Sequence, residues 1–202
     1  NYCARENYMQ SVLIGTVIKQ RRKDLKLTQE QLCSGICDPV SLSRIETGKQ
    51  VPSRSIVNAL LQRLGLPDTR YYALSSKHEL EIEALKKEII ACNVTRDVDN
   101  GFQKLLQLEN LISSDDHLIH QFILRSKALL GSFDKRYTYD EQIDMLLSAI
   151  RLTVPNFNIE EINKYLYAFD EIKAIIQIAN VHLNLQHKEQ AIDIFYQLLK
   201  YV

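Results

Sequence analysis

The chain has 202 residues, of which 46% are apolar, and its 25 basic side chains balance 25 acidic ones. This length allows one large or two modest domains, and the low counts of six glycines and four prolines favour an all-helical fold. No apolar run approaches the roughly 20 residues that span a bilayer, no secretion signal is visible, and a chain this size does not need a disulfide framework. We therefore expect a cytoplasmic protein whose four cysteines are reduced.

Charge is distributed unevenly along the sequence. Residues 1–70 contain 11 Lys and Arg against six Asp and Glu, a net charge of +5, and residues 71–202 carry the compensating −5. A basic first part predicts that this part of the chain meets a polyanion and that the rest does not.

Four short helices are predicted in the first part. Ile14, Ile18 and Leu25 recur at helical spacing and mark one buried face of the first helix. Each of the next three helices follows a side chain of the type that caps helix N-termini. The caps are Thr28, Asp38 and Ser53, and the four predicted helices cover 11–26, 29–35, 39–47 and 54–64.

Longer helices are predicted beyond a linker at residues 71–76, which separates a first domain at 1–70 from a second at 77–202. Short polar turns, such as the one at 93–94, divide this second domain. Its predicted helices cover 77–92, 95–112, 116–131, 138–153, 159–168, 171–185 and 188–201.

The first part resembles the phage-repressor-like (XRE) helix-turn-helix family through residues spread over about fifty positions. The resemblance implies a four- or five-helix lambda-repressor-like DNA-binding domain. It also implies that Arg22 pairs with Glu46 to hold the first helix against the third. The matching residues are Ile14, Gly15, Ile18, Arg22, the segments 27–32 and 42–49, Pro52, Leu60, Leu64 and Gly65.

The third helix is the expected reader of DNA bases. A helix entering the major groove needs short or polar side chains on its outward face, and an arginine there can donate two hydrogen bonds to guanine. Phosphate contacts are expected at the flanks of this helix. The predicted base-reading residues are Val40, Ser41 and Arg44, and the predicted phosphate contacts are Gln29, Ser43, Lys49, Ser53 and Arg54. Solvated side chains in a tight turn are the alternative interpretation.

The turn between the second and third helices departs from the family pattern. Residues 34–38 are about one residue short, which leaves the contact register of the third helix open. Cys33 and Cys37 frame this turn, but no histidine lies nearby to complete a metal site. We expect structural thiols rather than a metal or redox switch.

The last two predicted helices resemble a tetratricopeptide repeat (TPR), with Ala191 and Phe195 at its small and aromatic positions. A TPR-like α-solenoid presents the first helix of each pair on its inner face, where amides can hydrogen-bond an extended peptide. A solvated polar face is the alternative. The predicted peptide-binding residues are Gln121, Arg125, Lys173, Gln177, Asn180 and Asn184.

The whole layout resembles the peptide-responsive quorum-sensing transcription regulators of Gram-positive bacteria, the Rgg, PlcR and PrgX types. The resemblance implies a homodimer on an inverted DNA repeat, a small peptide ligand, and control by repositioning of the DNA-binding heads. Those regulators have more repeats, so we expect this chain to lack C-terminal helices or to be a shorter variant.

Three other functions are alternatives to this one. A ligand-independent repressor would use the helical domain only to dimerise, and an interaction scaffold would keep a relic helix-turn-helix. An enzyme is not expected, because no phosphate loop, zinc-protease motif or nucleophile elbow is present. His117 and His120 share one helix but are better explained as surface residues, so no metal or cofactor is predicted.

Overall fold

The structure is a computed structural model that describes residues 14–66 and 77–201, and within these ranges every regular element is a helix. The chain divides into two compact units, 1–79 and 80–202. The predicted linker at 71–76 lies outside the described residues, as does the predicted start of the first helix at 11–13. No described helix combines the length and apolar character needed to cross a bilayer.

The first unit contains four short helices, and the three whose starts are described begin at the predicted capping residues. Thr28 accepts the N–H of Gln31 in a complete capping box. Asp38 caps a helix that has proline at its first position, and Ser53 accepts an N–H at 3.4 Å. The described part of α1 covers 14–24, and the others are α2 (Gln29–Cys33), α3 (Pro39–Glu46) and α4 (Arg54–Arg63).

Leu25 does not belong to the buried face that was predicted for α1, because its side chain is 42% exposed. The helix ends at residue 24, and Lys26 takes a positive φ of 56°. The N–H of Leu27 then closes the turn on the carbonyl of Arg22 at 3.0 Å. Helical spacing placed Leu25 inward only on the assumption that α1 continued.

The core of the first unit forms around apolar side chains from all four helices. Ile18, Leu32, Leu42 and Leu60 are fully buried there. Gly15 brings α1 against α3, since a Cβ at this position would overlap the carbonyl oxygen of Ile45. This close approach fixes the position of α3 relative to the first helix.

Replacing Gly15 by alanine is expected to destabilise the first unit by about 1–3 kcal/mol, because the added methyl group has no room beside a backbone atom. The measurement is thermal unfolding of the full chain followed by circular dichroism. Lys23→Ala is the control, because Lys23 is exposed on the same helix and its replacement should change stability by less than about 0.5 kcal/mol. Equal destabilisation by the two variants would contradict the steric explanation.

The second unit is built from three successive helical hairpins, α5 with α6, α7 with α8, and α9 with α10; the first three residues of α5 belong to the first unit. One buried cluster joins α5, α6 and α7, and a second joins α8, α9, α10 and the segment between α8 and α9. The bounds are α5 (Lys77–Thr95), α6 (Val98–Leu111), α7 (His117–Phe133), α8 (Tyr139–Arg151), α9 (Phe169–Asn184) and α10 (Lys188–Tyr201).

Two predicted boundaries in this unit are wrong. α5 continues through the turn predicted at 93–94 and ends at Thr95. The helix predicted over 159–168 is a 3₁₀ helix, Ile159–Lys164, followed by extended backbone. Side chains of α10 accept hydrogen bonds from the backbone of this segment. Gln197 accepts the N–H of Ile162, and the Tyr201 hydroxyl accepts the N–H of Tyr167. Tertiary contacts therefore override the local helical pattern.

The three hairpin turns share one backbone conformation. Arg96, Lys135 and Gln186 occupy equivalent positions with positive φ values of 59°, 58° and 61°. In each turn the following N–H donates to a carbonyl five residues earlier, which is the Schellman pattern. The small residues Ala179 and Ala191 are fully buried, as a TPR-like hairpin requires. The first helix of each hairpin therefore ends in the same way, and each hairpin has a turn of the same conformation.

Candidate DNA interface and ligand groove

A buried ion pair holds α1 against α3. Arg22 donates from Nε and Nη2 to the two carboxylate oxygens of Glu46, at 2.6 and 2.9 Å. Gln29 donates its amide to the same carboxylate at 2.8 Å. Burial raises the pKa of Glu46, but the hydrogen bonds from Arg22 and Gln29 outweigh this and hold the pKa below its usual value. The geometry matches the pairing that the family resemblance implied.

Gln29 was expected to contact phosphate, and the structure gives its amide N–H an internal acceptor instead. The side chain is only partly buried. It lies at the first position of α2 and joins that helix to the pair between α1 and α3. The distance to Glu46 depends on the fold, so a sequence pattern could not have identified this contact.

The outward face of α3 presents Val40, which is 59% exposed, and Arg44, which is also exposed. Leu42 and Ile45 point inward and are buried. Ser43 is partly buried between these two faces. A helix anchored on one side and exposed on the other can enter a groove without rearranging its own core.

Ser41 is less available to a base than expected. Its hydroxyl donates to Asp38 at 2.5 Å, and its N–H donates to the other oxygen of the same carboxylate. These hydrogen bonds from Ser41 lower the pKa of Asp38. The Ser41 hydroxyl therefore stabilises the start of α3, and toward a ligand it can act only as a hydrogen-bond acceptor.

The flanking residues predicted to contact phosphate lie around the start of α4. Lys49 is exposed in the loop after α3, and Ser53 is exposed while it caps α4. The side chain of Arg54 is partly buried, and its backbone N–H donates to Glu79 of the same unit. The N–H of Arg54 thus has an acceptor, which was not anticipated.

Arg63 stabilises the shortened turn between α2 and α3, a role that no pattern in the sequence indicated. The residue is 6% exposed, and its Nη1 donates to the carbonyls of Leu32 and Ser34. Cys33 and Cys37 are free thiols beside it. Burial raises the pKa of both, that of Cys37 to about 12, so neither is a thiolate at neutral pH.

On the helical unit, three of the predicted peptide-binding residues lie together. Gln177, Asn180 and Asn184 on α9 line a cavity of about 80 Å³ against α7 and α8. Both asparagines are exposed, and the Gln177 amide oxygen is buried with no hydrogen-bond partner among the described residues. The cavity thus offers amide donors and acceptors in one place.

The other three predicted peptide-binding residues have internal roles or lie outside this cavity. Gln121 is 1% exposed and donates to the carbonyl of Ala149 and the hydroxyl of Thr153, so its assignment to a ligand surface is wrong. Arg125 is buried and pairs with Asp170 at 3.3 Å. Lys173 is exposed and approaches the same carboxylate at 3.8 Å.

A larger groove of about 810 Å³ continues from this cavity toward the hairpin turns. Ser132, Gln142 and Asn184 line both spaces. Arg96 and Lys135 also line the groove, although nothing in the sequence singled them out. No cluster of three or more metal-ligating side chains occurs among the residues described.

Comparison with known proteins supports the two-part layout. Residues 13–72 match the family model described as a helix-turn-helix domain. The fold is similar to that in the crystal structure of Bacillus thuringiensis PlcR in complex with the peptide PapR7 and DNA. The TM-score is 0.51 and the identity 21%, over 93% of this chain and 64% of that one. No curated protein matches by sequence.

This chain accordingly spans less than two thirds of the length of PlcR, and the likeness concerns the fold. The predicted fold class, an all-α chain with an N-terminal helix-turn-helix and TPR-like helices after it, is confirmed.

Proposed function

We propose that the protein is a cytoplasmic, sequence-specific DNA-binding transcription regulator whose activity is controlled by a peptide bound to its helical unit. The exposed outer face of α3 supports the DNA-binding part of this proposal. The amide-lined cavity beside α9 supports the peptide-binding part.

α3 has the dimensions and surface of a helix that reads DNA. An α-helix with its side chains is about 10–12 Å across, which fits the major groove, about 12 Å wide. Arg44 can donate two hydrogen bonds to a guanine, and Val40 can contact a thymine methyl group. The Arg22–Glu46 pair and the close approach at Gly15 hold this helix in place from behind.

Charge supports the same assignment. The +5 net charge of residues 1–70 lies on the part that contains α3, and Lys49 and Ser53 are exposed beside it. These side chains are within one loop of α3 and suit phosphates on either side of the groove. The fold-related PlcR was crystallised with DNA, which is consistent with the proposal.

The α9 cavity suits the backbone of an extended peptide. Asparagine and glutamine side chains each offer a donor and an acceptor, so they can pair with a peptide C=O and N–H at once. Gln177 already has a buried acceptor that lacks a partner within the described residues. PlcR was crystallised with the peptide PapR7, and we extend that class of ligand to this chain as a proposal.

The regulator is proposed to act as a homodimer. A two-fold dimer would place two α3 helices in successive major grooves about 10 base pairs apart and would read an inverted repeat. Its helical units would transmit peptide binding to the spacing of the DNA-binding heads.

Selection of bound duplexes from a random DNA pool, at 50 and 200 mM salt, tests the DNA-binding half. We expect an inverted repeat, with affinity falling about 10³-fold or more between these salt concentrations if six or more phosphates are contacted. Sedimentation of the complex with the selected duplex measures the number of chains bound. Equal binding of selected and random duplexes at both salt concentrations would contradict sequence-specific regulation.

A further inference from the structure

We propose that the groove at the hairpin turns binds a carboxylate of the peptide. This inference rests on the proposed function and adds a site at the end of the α9 cavity. The inference is based on Arg96 and Lys135, two cations that line the groove.

The repeat geometry places these two cations on one edge of the unit. Arg96 ends the α5–α6 turn and Lys135 ends the α7–α8 turn, at equivalent positions with the same positive φ. Both side chains are exposed. The Arg96 guanidinium lies 5.3 Å from the ring of Phe133, which also lines the groove. That contact orients its charge at the groove wall.

Neither cation forms an ion pair with another described residue. The groove lining contains no aspartate or glutamate. Three carboxylates near it in sequence have other partners: Asp97 accepts from Asn100, Asp134 pairs with Arg136, and Glu141 accepts from Thr138 in a capping box. The groove therefore has a positive charge that its own walls do not neutralise.

The neutral walls suit the end of a peptide. Tyr137 and Tyr139 offer two hydroxyl groups and two aromatic surfaces. Because Asn184 and Gln142 line both the groove and the α9 cavity, one extended ligand can occupy the two spaces at once. Its backbone would meet the amides of α9, and its carboxylate would meet the cations at the turns.

The carboxylate can belong to the C-terminus or to an acidic side chain, and peptide pools separate these sources. Three synthetic pools of random heptapeptides serve as probes: free C-termini without Asp or Glu, amidated C-termini with Asp and Glu, and amidated C-termini without them. Each pool is incubated with the full chain, and peptides that co-elute with the protein are quantified by mass spectrometry. We expect at least about tenfold greater retention of one or both carboxylate-containing pools than of the third pool.

The test variant is Arg96→Gln with Lys135→Gln, because glutamine occupies the same backbone conformation at position 186 in the third turn. We expect this variant to lose the tenfold preference. The matched control is Lys87→Gln with Arg151→Gln, which removes two exposed cations outside the groove lining and should keep the preference.

Equal retention of all three pools by the wild type and the test variant would overturn the inference while leaving peptide binding intact. Retention of no peptide from any pool would overturn both the inference and the peptide half of the proposed function. If the test variant kept the preference for carboxylate-containing pools, the carboxylate would bind outside this groove, and the inference would also be overturned.

Discussion

Replacing Glu46 by alanine is expected to lower the free energy of unfolding of the first unit by about 3 kcal/mol. The change leaves the Arg22 guanidinium without its bidentate partner and also removes the acceptor of the Gln29 amide. The side chains of Arg22 and Glu46 are only 11% and 1% exposed, so water replaces little of what is lost. This loss of unfolding free energy is at the low end of the range for broken buried ion pairs, because Arg22 retains some contact with solvent.

Urea-dependent hydrogen exchange, read by mass spectrometry on peptides from α1 and α3, measures this effect in the full chain. Peptides from α9 provide an internal reference. Glu30→Ala is the control, since it removes an exposed carboxylate from the same unit and should change stability by less than about 0.5 kcal/mol. A Glu46→Ala variant as stable as Glu30→Ala would contradict the role of the pair.

The same pair makes the first unit sensitive to acid. The folded-state pKa of Glu46 is lowered, so its contribution to stability is fully present above the unfolded value of about 4.3. That contribution is lost as the pH falls through the lower folded-state pKa. Glu46→Gln should therefore flatten the pH dependence of unfolding below about pH 4.3 relative to the wild type.

Replacing Arg44 by alanine is expected to weaken binding to the selected duplex by about 1–3 kcal/mol for each half-site. The side chain is exposed on α3 and forms no ion pair with the described residues, so the fold should not change. The loss should be confined to duplexes with the preferred base pair at one position of each half-site. Fluorescence anisotropy with the selected duplex and its single-base-pair variants measures this discrimination.

Lys49→Ala is the matched comparison for Arg44→Ala. It removes a cation from the adjacent loop, where phosphate contact is proposed. It should weaken all duplexes alike and reduce the salt slope by about one for each half-site. If Arg44→Ala also weakened all duplexes alike, the proposed orientation of α3 would be wrong, and Arg44 would be a phosphate contact.

Local signals in the sequence were enough for most of the fold. Thr28, Asp38 and Ser53 cap the helices that they were predicted to cap, because an N-cap acts within its own first turn. The 159–168 segment was not predictable in this way. Two of its N–H groups donate to Gln197 and Tyr201, more than thirty residues later in the sequence. No local pattern could therefore show that an α-helix does not form here.

In the candidate site, too, local signals predicted some residues, whereas others depend on tertiary contacts. The exposure of Arg44 and Val40 on α3 could be predicted from their spacing on a capped helix. The burial of Gln121 could not, because the groups that engage its amide, at Ala149 and Thr153, come near it only when α7 and α8 pack. The groove at Arg96 and Lys135 is likewise assembled from separate hairpins, and its recurrence becomes visible only in the backbone angles of the turns.

The buried cysteines provide each unit with a natural probe of its own opening. Cys33 lies in the core of the first unit and Cys92 in that of the second, and burial raises the pKa of both thiols. A thiol reagent can modify such a group only when the surrounding helices separate. Rates of alkylation at Cys33 and Cys92, resolved by peptide mass, therefore report two separate opening equilibria without any introduced label. The influence of DNA on one unit and of a peptide on the other can then be followed in the same sample.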